Sequence, residues 1–461
     1  VSEKQGDVAI GGVRNGGRDI ARFDLTLDAD NNVVDATVEI VDMAEVAPSQ
    51  EIRDIPLVAE AHQKTIDYIA GGTDESGEPL PPLGSTTARF QPDNEIAGLP
   101  QGRLEDTAVM DLINQIQLEN SGADVSAAAL FKNTSDLPAG DINYGNIFDI
   151  YKFDNTLYRV QVTGAELKAY MEWSAECYNQ WKEGDINISF DPEYPDYLYD
   201  MFAGVDYEID LSQPKGERIK NVMFKGEPLE DDQTLTLAVN NYRYSSALKA
   251  QGIVSGTKEW ESSNSIRDMI VAYFAAHSPV APTVDNNWKI VGVDLNEDDP
   301  RRAELISYIN AGLLPAPYSA SYNLADYDAL VAQARDNAPV LVDGAPKAAA
   351  ALDGFYRLRD LAAALNGTGK QFNVEWIDSR VVITTGAAYT AEPLPAATVP
   401  AFEASGSITV LVDGQPVEVT AQVYQGNYYV SADAVSTLLD VQAAQADSTL
   451  ILTVDTAADA G

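Results

Sequence analysis

Two short segments of this 461-residue chain set aromatic rings beside asparagine where loops leave strands. One runs Tyr144-Gly145-Asn146-Ile147-Phe148-Asp149-Ile150-Tyr151-Lys152-Phe153-Asp154-Asn155. The other is Ala238-Val239-Asn240-Asn241-Tyr242-Arg243-Tyr244. Strand-end loops are where folded proteins carry binding groups. Two rings from separate loops can clamp a planar base, a contact of roughly 1–3 kcal/mol per stacked base. Core packing is the competing reading for the same rings, because aromatic side chains are well buried on average.

Other chemistries lack their residues. His62 and His277 each stand alone on an expected helix, as solvent-facing or capping side chains. With no His-x-His, no His-Glu-x-x-His and no cysteine pair, the sequence offers no zinc site or binuclear phosphatase centre. It has neither Gly-x-Ser-x-Gly nor a phosphate loop ending in Lys-Ser/Thr. The acidic runs Asp28-Ala29-Asp30-Asn31-Asn32 and Asp294-Leu295-Asn296-Glu297-Asp298-Asp299 offer alternating oxygens. They lack the glycine and distal glutamate of a calcium loop, so they read as turns.

Acidic side chains number 71 and basic ones 30, and 71 − 30 leaves an excess of 41 negative charges. Such a field repels phosphate backbones and anionic lipid, which argues against nucleic-acid polymers and membrane surfaces as partners. One local arginine can still hold a small phosphate-bearing ligand, since salt screens the diffuse field within about 8–10 Å. No apolar run is long enough to span a membrane. The lone Cys177 allows no intrachain disulfide. The first residues, VSEKQGDVAIGG, carry no signal-peptide pattern, and the sequence reads as a piece of a longer protein.

The elements that would position the two aromatic segments follow from periodicity. Residues 1–45 alternate as strands, with a hairpin turning at Asp28–Asn32. Ile55, Val58, Ala61, Ile66 and Ile69 fall on roughly one face of a helix over 50–70, which Gly71-Gly72 ends. A second helix is expected from about Thr107 to Asn120. From Asp141 to Val293 strands and helices alternate, a mixed α+β pattern. Residues 298–338 read as a helical connector. Beyond it Leu341-Val342-Asp343-Gly344-Ala345-Pro346 returns as Leu411-Val412-Asp413-Gly414-Gln415-Pro416, each followed by a helix and a closing strand. This reads as two tandem modules over 339–461 joined by the Pro/Ala-rich stretch 391–402.

Tyr144 to Glu172 resembles the 5'-nucleotidase C-terminal domain, as do VDYEIDLSQPKGERIKNVMFKGEPL (205–229), TLTLAVNNYR (234–243) and VDNNWKI (284–290). The resemblance spans about 100–297. The Asn-Asn-Tyr-Arg and Asp-Asn-Asn-Trp forms, with Asn114-Gln115, are more similar to the 2',3'-cyclic-nucleotide 2'-phosphodiesterase/3'-nucleotidase branch than to plain 5'-nucleotidases. The resemblance implies a base-stacking pair at Phe153 and Tyr242 and a nucleoside contact at Asn155. It adds Asn241 to the substrate-binding set and aligns Arg103 with an arginine that some members place on the substrate phosphate. Two departures stand out. Leu130-Phe131-Lys132-Asn133-Thr134 replaces the segment with the family's second arginine, and Ser245-Ser246-Ala247-Leu248 replaces its glycine-rich loop.

By the same resemblance, residues 1–45 are similar to the last strands of a calcineurin-like metallophosphatase domain, and 46–99 to an interdomain linker with a helix. The divalent metals and the catalytic His–Asp pair are then expected upstream, with none bound by this chain, so the chain alone is expected to be inactive. There two metal ions would polarise the phosphate and activate water, while this half holds the base. The tail resembles the stalk modules found beside copper amine oxidase sequences. It carries no histidine for copper, which leaves a spacer or cell-wall association.

The expected fold class is therefore α+β, a 5'-nucleotidase C-terminal-type domain followed by two small α+β stalk-like repeats. The expected function is nucleoside recognition within a secreted or cell-surface bacterial nucleotide phosphohydrolase serving nucleotide catabolism. A surface adhesion protein using the same domain as a scaffold is the alternative.

Overall fold

The computed structural model describes residues 2–5, 8–14, 17–47, 49–71, 78–391 and 399–454, and the chain divides into two units, Val1–Pro81 and Pro82–Gly461. In the first, Asp19–Leu27 and Val33–Asp42 form the expected hairpin. Its turn is closed by Asp28 Oδ1, which accepts the N–H groups of Asp30 and Asn32 while Asn31 takes φ 62°. Asparagine tolerates that left-handed conformation, so the acidic run is a side-chain-capped turn. Helix Pro56–Ala70 starts on proline and stops at Gly71 with φ 71°. Its apolar stripe is helical as expected but stays exposed, and among the described residues of this unit only Ala36 is buried.

The second unit is built on a five-stranded mixed sheet. Its order is Lys258–Ser265, Thr156–Thr163, Thr234–Asn240, Val125–Ala128, Met201–Ala203. Helix Ala108–Ser121 buries Val109, Ile113 and Ile116 completely, each worth about 1.5–3 kcal/mol of transfer energy. Gly122 then ends it at φ 62°. Helices Gly164–Ser174 and Ile266–His277 open with capping boxes from Thr163 and Ser265. His277 stacks on Tyr273 at 4.2 Å and ends its helix, a capping position as expected, and His62 is exposed. A four-stranded sheet packs into the same core: Glu227–Pro228, Ile219–Phe224, Asp206–Asp210, Trp288–Val291.

Three expected boundaries move. Gly84–Thr86 pairs with Gly140–Ile142, and Phe90, Ile96 and Leu99 are core residues, so the second unit begins well inside the expected linker 46–99. Residues 298–338 are no connector. Helices Pro300–Asn310 and Tyr327–Asn337 place Leu305, Ile309, Leu330 and Ala334 in the main core, and Arg302 pairs with Glu95 at 2.6 Å. Their apolar faces had to be buried somewhere, and the main core supplied the surface.

The third correction concerns the repeats. Each copy has the expected hairpin, helix and closing strands, and both hairpins turn on Asp-Gly with positive φ at both residues (48° and 80°, 48° and 79°). Yet the copies are interlocked. The closing strand of the first, Arg380–Thr385, runs parallel to the opening strand of the second, Ala404–Val412. The opening strand of the first, Val340–Val342, runs parallel to the closing strand of the second, Thr449–Thr453. Between them Phe355–Arg357 pairs antiparallel with Asn427–Ser431 on a pseudo-two-fold axis. One core, including Tyr356, Leu361, Val435 and Leu450, serves both copies. Most of the expected joint 391–402 lies outside the described residues.

Candidate functional site

The central strand Thr234–Asn240 is antiparallel to Thr156–Thr163, with Asn240 opposite Leu157, and parallel to Val125–Ala128. Met201–Ala203 is antiparallel to Val125–Ala128. The exits of two strands and the entries of two others therefore meet at one end of the sheet. Those four segments bring Tyr242, Phe153 with Asn155, Phe131 and Tyr197 around one pocket of about 320 Å³, with Asn240 and Arg243 completing its lining. That size falls in the range of small-molecule sites.

Each ring is held by its own device. The turn at 152–154 is clamped by Arg267, which donates to the Lys152 carbonyl at 3.0 Å and pairs with Asp154. The Ile266 N–H donates to the Asn155 carbonyl at 2.9 Å, fixing the strand entry. Phe131 meets the Phe153 ring edge-on at 4.9 Å and 90°, leaving Phe153 40 % exposed. Across the pocket, the Asn240 side chain accepts the Arg243 N–H at 2.8 Å and caps the helical turn that carries Tyr242, which is 54 % exposed. The chain then runs into a π-helix, Tyr244–Lys249, over the Ser245–Leu248 segment that departs from the family's glycine-rich loop. Exposed rings on opposite segments of one pocket exclude the core-packing reading for Phe153 and Tyr242.

Arg243 turns inward from the same motif. Its guanidinium binds Asp200, lies 5.2 Å over the Trp173 ring, and leaves Nη1 buried without a hydrogen-bond partner. Tyr170 donates its hydroxyl to the same carboxylate at 2.8 Å. Asn155 lies beside the Tyr151 hydroxyl, whose burial raises its pKa and keeps it neutral.

Two sequence-expected residues fall elsewhere. Arg103 is buried at 3 % exposure among the rings of Phe190, Tyr199 and Tyr318, and does not line the pocket. It packs there because residues 298–338 fold over it. Asn241 also lies outside the lining, its Oδ1 shielded and without a partner, while Asn240 and Arg243 take the places that the motif offered. Sequence reasoning missed Phe131 and Tyr197. Phe131 sits in the segment that departs from the family pattern. Tyr197 carries no local signal.

One group among the described residues has the donors for a cation: Asp106, Asp111 and Asp285, with carboxylate oxygens within 4.8 Å of one another. Asp106 also accepts the Trp288 indole N–H at 3.1 Å, and its second oxygen is buried without a partner. Burial, then the charges of Asp111 and Asp285, pushes Asp106 up to about 7. The group does not line the aromatic pocket.

The residues that line this pocket fall within a segment that is similar to known proteins. Residues 84–251 match the family described as 5'-nucleotidase, C-terminal domain. Over 208 residues the chain is 33 % identical to a 2',3'-cyclic-nucleotide 2'-phosphodiesterase/3'-nucleotidase of Yersinia enterocolitica, covering 38 % of this chain and 31 % of that protein. Over 174 residues it is 30 % identical to the trifunctional nucleotide phosphoesterase protein YfkN of Bacillus subtilis, covering 34 % of this chain and 12 % of that one. The chain thus spans less than a third of the length of either relative. In fold it is similar to a Staphylococcus aureus structure assigned as a 5'-nucleotidase, with TM-score 0.50 and 21 % identity over 63 % of this chain and 54 % of the other.

Proposed function

We propose, from the premise that residues 84–251 are a 5'-nucleotidase C-terminal domain, that the chain is the nucleoside-recognising part of a metal-dependent nucleotide phosphohydrolase. The observation that supports this best is the pocket in which Phe153, Tyr242 and Asn155 converge. The two exposed rings would stack on a base, and Asn155 would offer both a donor and an acceptor to its edge. Arg243 Nη1, already desolvated, gains from any acceptor that reaches it, because an unpaired buried donor is costly. These residues bind and orient. The divalent metals that activate water for phosphoester hydrolysis would be held by groups other than the carboxylates at Asp106, Asp111 and Asp285, which do not line the pocket. An exported, cell-surface location for nucleotide scavenging belongs to the same proposal and rests on the resemblance of the tail to stalk modules.

Calorimetric titration with adenosine and 3'-AMP, beside Tyr242→Ala, tests the reading. Saturable binding that the substitution abolishes is the expected result. Wild-type chain that binds neither ligand at millimolar concentration sinks it.

A further inference from the structure

We infer that the tail carries a binding site for neutral saccharide chains, centred on Trp376. The site is a second pocket, of about 280 Å³, where the interlocked copies meet. Trp376 lines it at 53 % exposure and stacks on Tyr428 from the other copy, with centroids 5.6 Å apart and planes at 20°. Around the rings stand Arg359, Glu375, Gln425 and Asn427.

The pseudo-two-fold axis shows what the fold itself requires at this position. Trp376 stands opposite Val381, and Val381 pairs with Val410 of the second copy. In the other half, Gln445 stands opposite Leu450, which pairs with Val340. Since Val340 and Val410 precede the repeated hexapeptides, Trp376 and Gln445 are equivalent positions. Gln445 folds down over Gly354, so close that a Cβ there would lie 2.7 Å from its Nε2, and donates to the Asp447 carbonyl at 3.0 Å. At the equivalent turn glycine, Gly426, a Cβ would meet nothing within 4 Å. One half of the dyad is filled by an amide, and the other is left open beneath an exposed indole. The fold is satisfied by glutamine here, so the exposed tryptophan is explained by a ligand.

The chemistry of the lining selects the ligand class. Trp376 and Tyr428 already stack on one another, so no base fits between them. The half-exposed indole still offers ring surface to solvent, and the negative ring faces attract weakly positive C–H groups such as those on one side of a pyranose ring. Gln425 and Asn427 both donate and accept, Glu375 accepts, and Arg359 donates, a set suited to neighbouring hydroxyls. Among the described residues neither Arg359 nor Glu375 has an ion-pair partner, so both are available. Their charges offset each other, and the chain's excess of 41 negative charges opposes anionic polymers. Neutral saccharides remain.

Cello- and chito-oligosaccharides of four to six sugars serve as probes, titrated by calorimetry into the whole chain and into Trp376→Gln, which installs the residue of the other half. Saturable binding, with at least a tenfold loss in Trp376→Gln and unchanged thermal unfolding, is expected. Wild-type chain that binds none of the probes at 10 mM overturns the inference. So does affinity that survives the substitution, or a site that prefers adenosine in a chain already carrying Tyr242→Ala.

Discussion

Arg243 Nε lies 2.5 Å from Asp200 Oδ2 in a pair whose side chains are 2 % and 1 % exposed, directly behind the segment that presents Tyr242. The strand end that carries the exposed ring is thus anchored by a charge pair inside the core. Removing one partner of a buried pair strands the other charge, at a cost of about 3–5 kcal/mol. Arg243→Met is expected to lower stability by that order in denaturant unfolding, whereas the double variant Arg243→Met/Asp200→Leu recovers part of it. A double variant that is the sum of two large single losses would mean that the pair is not coupled.

The two rings of the pocket should contribute separately. Phe153→Ala and Tyr242→Ala are each expected to weaken adenosine binding by roughly 1–3 kcal/mol, a range that single-base stacking sets. Arg103→Ala, in contrast, should destabilise the fold, because it removes a guanidinium packed over Phe190 and Tyr199. Affinity in the remaining folded fraction should be unchanged. Calorimetry beside thermal unfolding separates the two outcomes.

The clamp on the Phe153 turn gives a third expectation. Arg267→Ala frees the segment at 152–154 by removing its hydrogen bond to Lys152 and its pair with Asp154. Binding should weaken mainly through lost order in the free state, so the entropy of adenosine binding becomes more unfavourable while both ring contacts remain. Equal entropies for wild type and variant would show that the clamp does not preorganise the ring.

The carboxylates at Asp106 and Asp111 predict a pH dependence of stability. Burial pushes Asp111 up to about 6, and burial with the neighbouring charges pushes Asp106 up to about 7. An unfolded aspartate titrates near about 3.9. The folded state therefore holds protons that the unfolded chain has released, and this stabilisation is complete below about pH 4 and lost as pH rises through 6 and 7. The free energy of unfolding should fall between about pH 4 and 7, by on the order of 1 kcal/mol once solvent screening of these half-exposed groups is allowed for. Asp106→Asn should flatten the profile. A profile that keeps its slope in the variant assigns the effect to other groups.

Interlocking of the two tail copies predicts that neither folds alone. Truncation after residue 390 removes the strands that pair with Val340–Val342 and Val381–Ile383, leaving both as apolar edges. Limited proteolysis is expected to cut the first copy rapidly in the truncated chain and slowly in the full one. Equal protection would restore the tandem reading.

The sequence by itself determined the local parts. Alternation and turn chemistry marked the hairpin over 19–42, and the apolar stripe of 108–121 gave a buried helix. The Asp-Gly turns located both repeats, while Phe153, Asn155 and Tyr242 were singled out within the aromatic-beside-asparagine segments by the family resemblance. The hairpins, helices and turns depend on neighbours within a few residues, which periodicity and turn residues report directly. Only the tertiary structure decided partners that are distant in sequence. It placed Tyr197 and Phe131 in the pocket through strand pairing, and buried Arg103 under the segment from 298 to 338. It also gathered Asp106, Asp111 and Asp285, and exchanged strands between the copies. Strand order and long-range burial follow from which apolar surfaces cover one another, and no window of sequence contains both surfaces.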